Sequence, residues 1–248
     1  MGSGRRAVVV GALVCVCLTV TSLGWAQPKS GKAPPKLPTL PLSIAVAEVD
    51  GTPVVTDRWL RQQVSEAQRL LGPHGLRVEQ VERRKIPAHQ AKLETAADRD
   101  ALAEHVEKHV INVFIVKSLR DVDDPRLLRQ GVRWRLRRNL RKDYVIVSAA
   151  AMPTTLCHEL GHYFGNGHSF VVNNIMSYRR DDPSKVAFDD RQGIKMRQTA
   201  RALLSRGRVV SVAQLAQLKA AAAKKGAAAK KGAAAKAKGA RNEGQAGR

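Results

Sequence analysis

Cysteine, aromatic residues and acidic side chains are all scarce in this 248-residue sequence, and each scarcity excludes something. There are three cysteines, Cys15, Cys17 and Cys157, and the first two fall in an apolar N-terminal run. If that run is removed, Cys157 remains alone and an internal disulfide framework is excluded. With three Trp, three Tyr and four Phe, the core must rest on Val, Leu, Ile and Ala. Asp and Glu total 21 against 43 Lys and Arg, a formal charge of +22, which favours polyanions such as nucleic acid, anionic lipid or an acidic wall polymer. Much of that excess lies in a repetitive tail, so charge speaks to where the protein lingers more than to its chemistry.

The ends are appendages. Arg5 and Arg6 precede an apolar stretch from Ala7 to about Trp25, and Gly24 and Ala26 are the small residues of a cleavage point before Gln27. Residues 1–26 therefore read as a signal peptide and the protein as secreted or periplasmic, the alternative being an uncleaved membrane anchor. Residues 27–41, rich in Pro and Lys, read as a solvated linker. Residues 207–248 end in AAAKKG repeats without an apolar stripe and read as a basic, solvated tail.

Between them, residues 42–206 alternate strand and helix patterns. Leu42–Val49 is a strand closed by the Asp50-Gly51 turn. A helix capped by Thr56 or Asp57 carries Leu60, Val64, Ala67 and Leu71 on one face, and Leu76–Val81 is a second strand. Ala96–His109 reads as a polar helix, with His105 and His109 on a solvated face, and Val110–Val116 as a strand covered on both sides. Val132–Leu136 alternates strictly, as a one-sided edge strand does, and the Arg-rich run 133–142 is either a polyanion patch or a solvated edge. Tyr144–Val147 is a further buried strand, Met152-Pro153 opens a helix, and Asp189 caps a last one. The expected fold is α/β, a twisted, mostly parallel five-stranded sheet with an antiparallel edge strand.

The chemistry is concentrated in residues 158–168, His-Glu-Leu-Gly-His-Tyr-Phe-Gly-Asn-Gly-His. On a helix His158 and His162 project from one face and reach one ion, while Glu159 addresses a water on that ion without ligating it. Gly165 allows the sharp helix exit that brings His168 back as third ligand. Three nitrogens with a fourth position open are the ligand set of a catalytic Zn²⁺. Cys157 falls on the rear of this helix as a small apolar residue.

These five positions match the long motif of the metzincins, and Asn174-Ile175-Met176-Ser177-Tyr178 resembles the Met-turn that follows it in that family. The resemblance implies an active-site helix, a small lower subdomain after the third histidine, and Met176 as an apolar base beneath the metal. The short link to Met176 and Ser169 resemble matrixins, whereas Tyr178 resembles the zinc-ligating, transition-state-stabilising tyrosine of astacins and serralysins. It also implies that Val132 and Trp134 lie on a strand pairing with extended substrate, and that Arg179 and Arg180 wall a specificity pocket preferring acidic side chains. The resulting expectation is a secreted zinc endopeptidase acting on polypeptide, with one Zn²⁺. We expect it to be monomeric and to lack specific nucleic-acid recognition, with its basic tail adhering to an anionic surface. The alternatives are a polyanion-binding protein on a non-catalytic zinc scaffold, or a zinc amidase acting on cell-wall peptide.

Overall fold

A computed structural model describes residues 36–227. Residues 1–26, read as a signal peptide, most of the Pro- and Lys-rich stretch 27–41, and residues 228–248 lie outside the described residues. Among the described residues no helix is long and apolar enough to cross a membrane.

The chain opens with strand β1 (Leu40–Val49), turns at Asp50-Gly51, and returns as the two-residue β2 (Thr52–Pro53). Both turn residues have positive φ, 51° and 73°, which folds the chain back antiparallel. Helix α1 (Asp57–Leu71) starts where the Thr56 hydroxyl accepts the Trp59 N–H, and it buries Leu60, Val64, Ala67 and Leu71. Strand β3 (Val78–Ile86) is longer than the pattern from Leu76 to Val81 suggests, because it runs beside all but the last residues of β1. Short β4 (Lys92–Leu93) precedes helix α2 (Ala96–Ala101), then come β5 (Ile111–Val116) and short β6 (Ser118–Leu119). Edge strand β7 (Gly131–Arg135), β8 (Asp143–Ser148), α3 (Thr155–Tyr163) and α4 (Asp190–Ser205) follow.

The long strands lie in the order β3-β1-β5-β8-β7, parallel except for the antiparallel β7 at the edge. This is the expected five-stranded sheet, enlarged to six by β2, which pairs with the end of β1. The continuous apolar run of β5 is explained by its two faces. Ile111, Val113 and Ile115 join the cluster beneath α1, α3 and α4, while Phe114 and Val116 join the cluster on the opposite side.

Three sequence-based expectations are corrected. The helix from Ala96 stops at Ala101 and passes through a 3-10 turn, Leu102–His105, so His105 and His109 share no helix face. His109 instead has φ 69° and bonds the Gly207 carbonyl. His74, whose place beside Gly72-Pro73 suggests a loop residue, is buried edge-on to Phe188. Finally, the packed domain does not end at 206: Val209 and Leu215 are buried, and Val210 and Val212 N–H donate to His109 and Thr39 carbonyls. Residues 212–227 are helical, in keeping with their Ala and Lys content, and exposed from 216 onward.

Truncation after residue 206 removes two buried apolar side chains, each worth about 1.5–3 kcal/mol. It should lower the thermal unfolding midpoint by several degrees; an unchanged melt would show that this segment contributes no packing.

Candidate active site

Helix α3 carries the site, and its surroundings hold it at both ends. Thr154 provides no side-chain cap. Gln63 of α1 does so instead, its Oε1 accepting the Leu156 N–H at 3.0 Å while its amide donates to the Met152 carbonyl at 2.8 Å. Gln130, just before β7, accepts from the Met152 N–H and the Thr155 hydroxyl. At the other end Arg133 donates to the His162 carbonyl at 2.8 Å and grips Asp143 with two bonds of 3.0 and 2.6 Å. Cys157 is fully buried on the rear face, as expected.

Two close approaches have no room for a side chain. A Cβ on Gly161 would stand 2.4 Å from Met176 Sδ, so glycine there admits the buried methionine under the helix. A Cβ on Gly131 would stand 2.8 Å from Glu159 Cγ and 2.9 Å from Oε1, so β7 approaches the glutamate only as glycine. The Met-turn is fixed from below. Met176 N–H donates to Asn174 Oδ1, and the Asn174 amide donates to Gln192 Oε1 within the capping box that starts α4 at Asp189.

His158 Nδ1–H donates to the Ile175 carbonyl at 2.7 Å, and His162 Nδ1–H to the Asn166 carbonyl at 2.9 Å. Each ring therefore presents the lone pair of Nε2 inward. Gly165, with φ 95°, makes the exit that returns the chain to His168, whose Nε2 lies 3.1 Å from that of His162. One ligand atom from each of the three histidines lies within 4.8 Å of the others. Tetrahedral Zn–N bonds require nitrogens about 3.3 Å apart. The 3.1 Å between His162 Nε2 and His168 Nε2 is close to that spacing, so the donor set fits a metal. Burial depresses the pKa of all three, His158 to about 4, and keeps them in the neutral form that binds metal.

Glu159 is 5% exposed, and burial pushes its carboxyl up to about 8 in the metal-free chain. The backbone of Arg133 and the charges of Arg129 and Arg180 offset part of that rise. Tyr178 is exposed, and its hydroxyl lies 2.9 Å from His168 Nε2, beside the converging nitrogens. All these groups line a cleft of about 1370 Å³ bounded by residues 128–134.

The remaining expected site residues behave differently. Val132 and Trp134 line the cleft, but the Trp134 indole is bonded to Asp100 and packed against the far side of the sheet. Arg179 is not among the cleft-lining residues. Arg180 is, but its guanidinium donates to Thr154 Oγ1 and to the Ile175 and Ser177 carbonyls, so it braces the Met-turn against α3. Sequence reasoning missed Gln63, Gln130, Gly131 and Arg133, which reach the site from 25 or more residues away. The one local signal was Gly131 at the head of an alternating strand.

No protein-family model matches the sequence, and no curated protein matches it. Among solved structures, mirolysin in complex with compound 9 is similar with a TM-score of 0.50 at 10% identity, over 66% of this chain and 91% of that one. Looser likenesses, which carry no weight here, are mature mirolysin of Tannerella forsythia in complex with a cleaved peptide (TM-score 0.48, 11% identity, 71% and 99% covered) and archaemetzincin from Methanopyrus kandleri (0.44, 18%, 66% and 96%). These are metzincin-type zinc peptidases, and the first shows that this chain has their fold. With that fold, the cluster of His158, His162 and His168 implies a zinc ion.

Two outcomes follow from the geometry. Gly161→Ala forces a Cβ onto Met176 and should destabilise the fold by about 1–3 kcal/mol in denaturant unfolding. The metal-free folded chain holds the Glu159 proton more tightly than the unfolded chain does. The stability due to Glu159 is therefore complete below about pH 4.5 and lost as pH rises through about 8. Glu159→Gln should remove that part of the pH dependence, and identical profiles for both proteins would contradict the burial effect.

Proposed function

We propose that the protein is an exported zinc-dependent endopeptidase that hydrolyses extended polypeptide. The observation that carries this reading is a buried carboxylate, Glu159, next in sequence to one of three neutral imidazoles whose nitrogens converge at the floor of an open cleft. His158, His162 and His168 would hold one Zn²⁺. When bound, the ion supplies Lewis acidity, polarising a carbonyl and lowering the pKa of a water.

The chain's own groups supply the rest. β7 is the last strand of the sheet beside the cleft, so its outer backbone edge is free to pair with an extended peptide and orient the scissile bond. Glu159, held away from bulk water, takes a proton from the attacking water at its carboxylate and returns it to the departing amine. Beside a bound cation the Glu159 carboxyl would ionise more readily than in the metal-free chain, as a base at neutral pH requires. Tyr178, exposed and beside His168, is free to turn its hydroxyl toward charge that develops on the carbonyl oxygen. Met176 and Gly161 keep the floor apolar and the helix in place.

The signal-like residues 1–26 support export, and the Lys-rich C-terminal residues support salt-sensitive adhesion to an anionic surface.

Glu159→Ala should keep about one zinc per chain by elemental analysis and lose peptide turnover by about 10³-fold or more. Undiminished hydrolysis would remove Glu159 as the base, and absence of stoichiometric zinc in the wild type would remove the enzyme.

A further inference from the structure

Of the arginines around α3, Arg133 and Arg180 have their donors committed to protein acceptors. Arg129 does not. It stands just before Gln130 and Gly131, the two residues that fasten β7 to the active-site helix, and its N–H donates to the Leu119 carbonyl at 2.8 Å. Its Nε is held by Asp121 Oδ2. Asp121 is 3% exposed, and its Oδ1 accepts the Asp123 N–H at 2.9 Å, so the anchor is itself rigid. That clamp takes one edge of the guanidinium. The side chain as a whole stays 44% exposed and lines the same cleft as His158, Glu159, His168 and Tyr178.

Gly131, two residues further on, is where the strand meets Glu159 with no room for a side chain, so Arg129 lines the cleft close along the chain to that contact. Burial works against protonation of its guanidinium, but Asp121 and the Tyr178 hydroxyl hold it above its ordinary pKa. The cation therefore lines the cleft that holds Glu159 and Tyr178, keeps its proton, and has donors to spare.

We propose that Arg129 is a catalytic residue: its free Nη donors stabilise, together with the Tyr178 hydroxyl, the oxyanion formed during peptide hydrolysis. This rests on the peptidase reading above. In that step a water oxygen lone pair forms the new C–O bond, the carbonyl π pair moves onto the carbonyl oxygen, and the water proton passes to Glu159. On collapse that pair re-forms C=O, the C–N bond breaks with its electrons on nitrogen, and the nitrogen takes the proton from Glu159. Arg129 transfers nothing. It offers a fixed positive charge where negative charge appears, without reorganisation at the moment of reaction. Asp121 acts through it as a positioning residue.

The test uses the full chain loaded with zinc, as wild type, Arg129→Met and Arg129→Lys. It measures zinc content, kcat and KM on a peptide without acidic side chains, and the Kd of a phosphinic pseudopeptide, whose tetrahedral anion mimics the oxyanion. For Arg129→Met we expect unchanged zinc and KM, kcat lower by about 10²-fold, and phosphinate affinity weakened by a similar factor. Arg129→Lys should recover about tenfold of both. Unchanged phosphinate affinity in Arg129→Met overturns the assignment. So does a loss confined to KM that grows with acidic residues in the peptide, which would make Arg129 a reader of substrate side chains. If the wild type hydrolyses no peptide but binds phosphinate through Arg129, the peptidase reading falls and the anion site stands. Should Arg129→Met unfold because Asp121 loses its partner, the Asp121→Asn/Arg129→Met double variant makes the same comparison.

Discussion

The site depends on how closely a methionine side chain and an edge strand approach one short helix. α3 is nine residues long, too short to be stable alone, and carries two of the three metal-binding imidazoles. Its position is set by contact: Met176 packs against Gly161 from below, and β7 presses Gly131 against Glu159 from the side. A methyl group at either glycine would push one wall out by about the width of the error a catalytic geometry tolerates. The polar tethers from Gln63, Gln130, Arg133 and Arg180 satisfy helix ends and carbonyls that this crowding would otherwise leave buried without partners.

The crowding also sets the electrostatics. Burial keeps the three imidazoles neutral, the form that binds metal, and raises the Glu159 carboxyl, so the pocket disfavours charge on its own groups. Arginines surround it in compensation. Arg133 and Arg180 are bonded into the frame, whereas Arg129 is held along one edge and stays open to the cleft along the other. A strongly basic composition thus has a local meaning at the site that is separate from the basic tail.

The lower part of the molecule follows from α4. Its capping box is a device for starting a helix, yet Gln192 also takes the Asn174 amide, which in turn holds Met176 N–H. A helix cap and a metal-site floor share one hydrogen-bond network. Residues 207–215 then return to β1 and His109, which ties the end of the described domain back to its beginning.

Much was legible from the sequence. The spacing of His158, His162 and His168 around Gly165 encodes a ligand set because helical period and a left-handed exit are local properties. Thr56 and Asp189 announced their helices for the same reason, and the apolar run of β5 announced a strand buried on both faces. The tertiary structure alone decided what crossed long stretches of chain. It made Arg180 a brace between the Met-turn and α3, brought Gln63 to the start of α3, and set Arg129 in the same cleft as Tyr178 across about 50 residues. Local chemistry has a period and can be read along the chain. Side chains that meet only when strand and helix pack against each other leave no such trace.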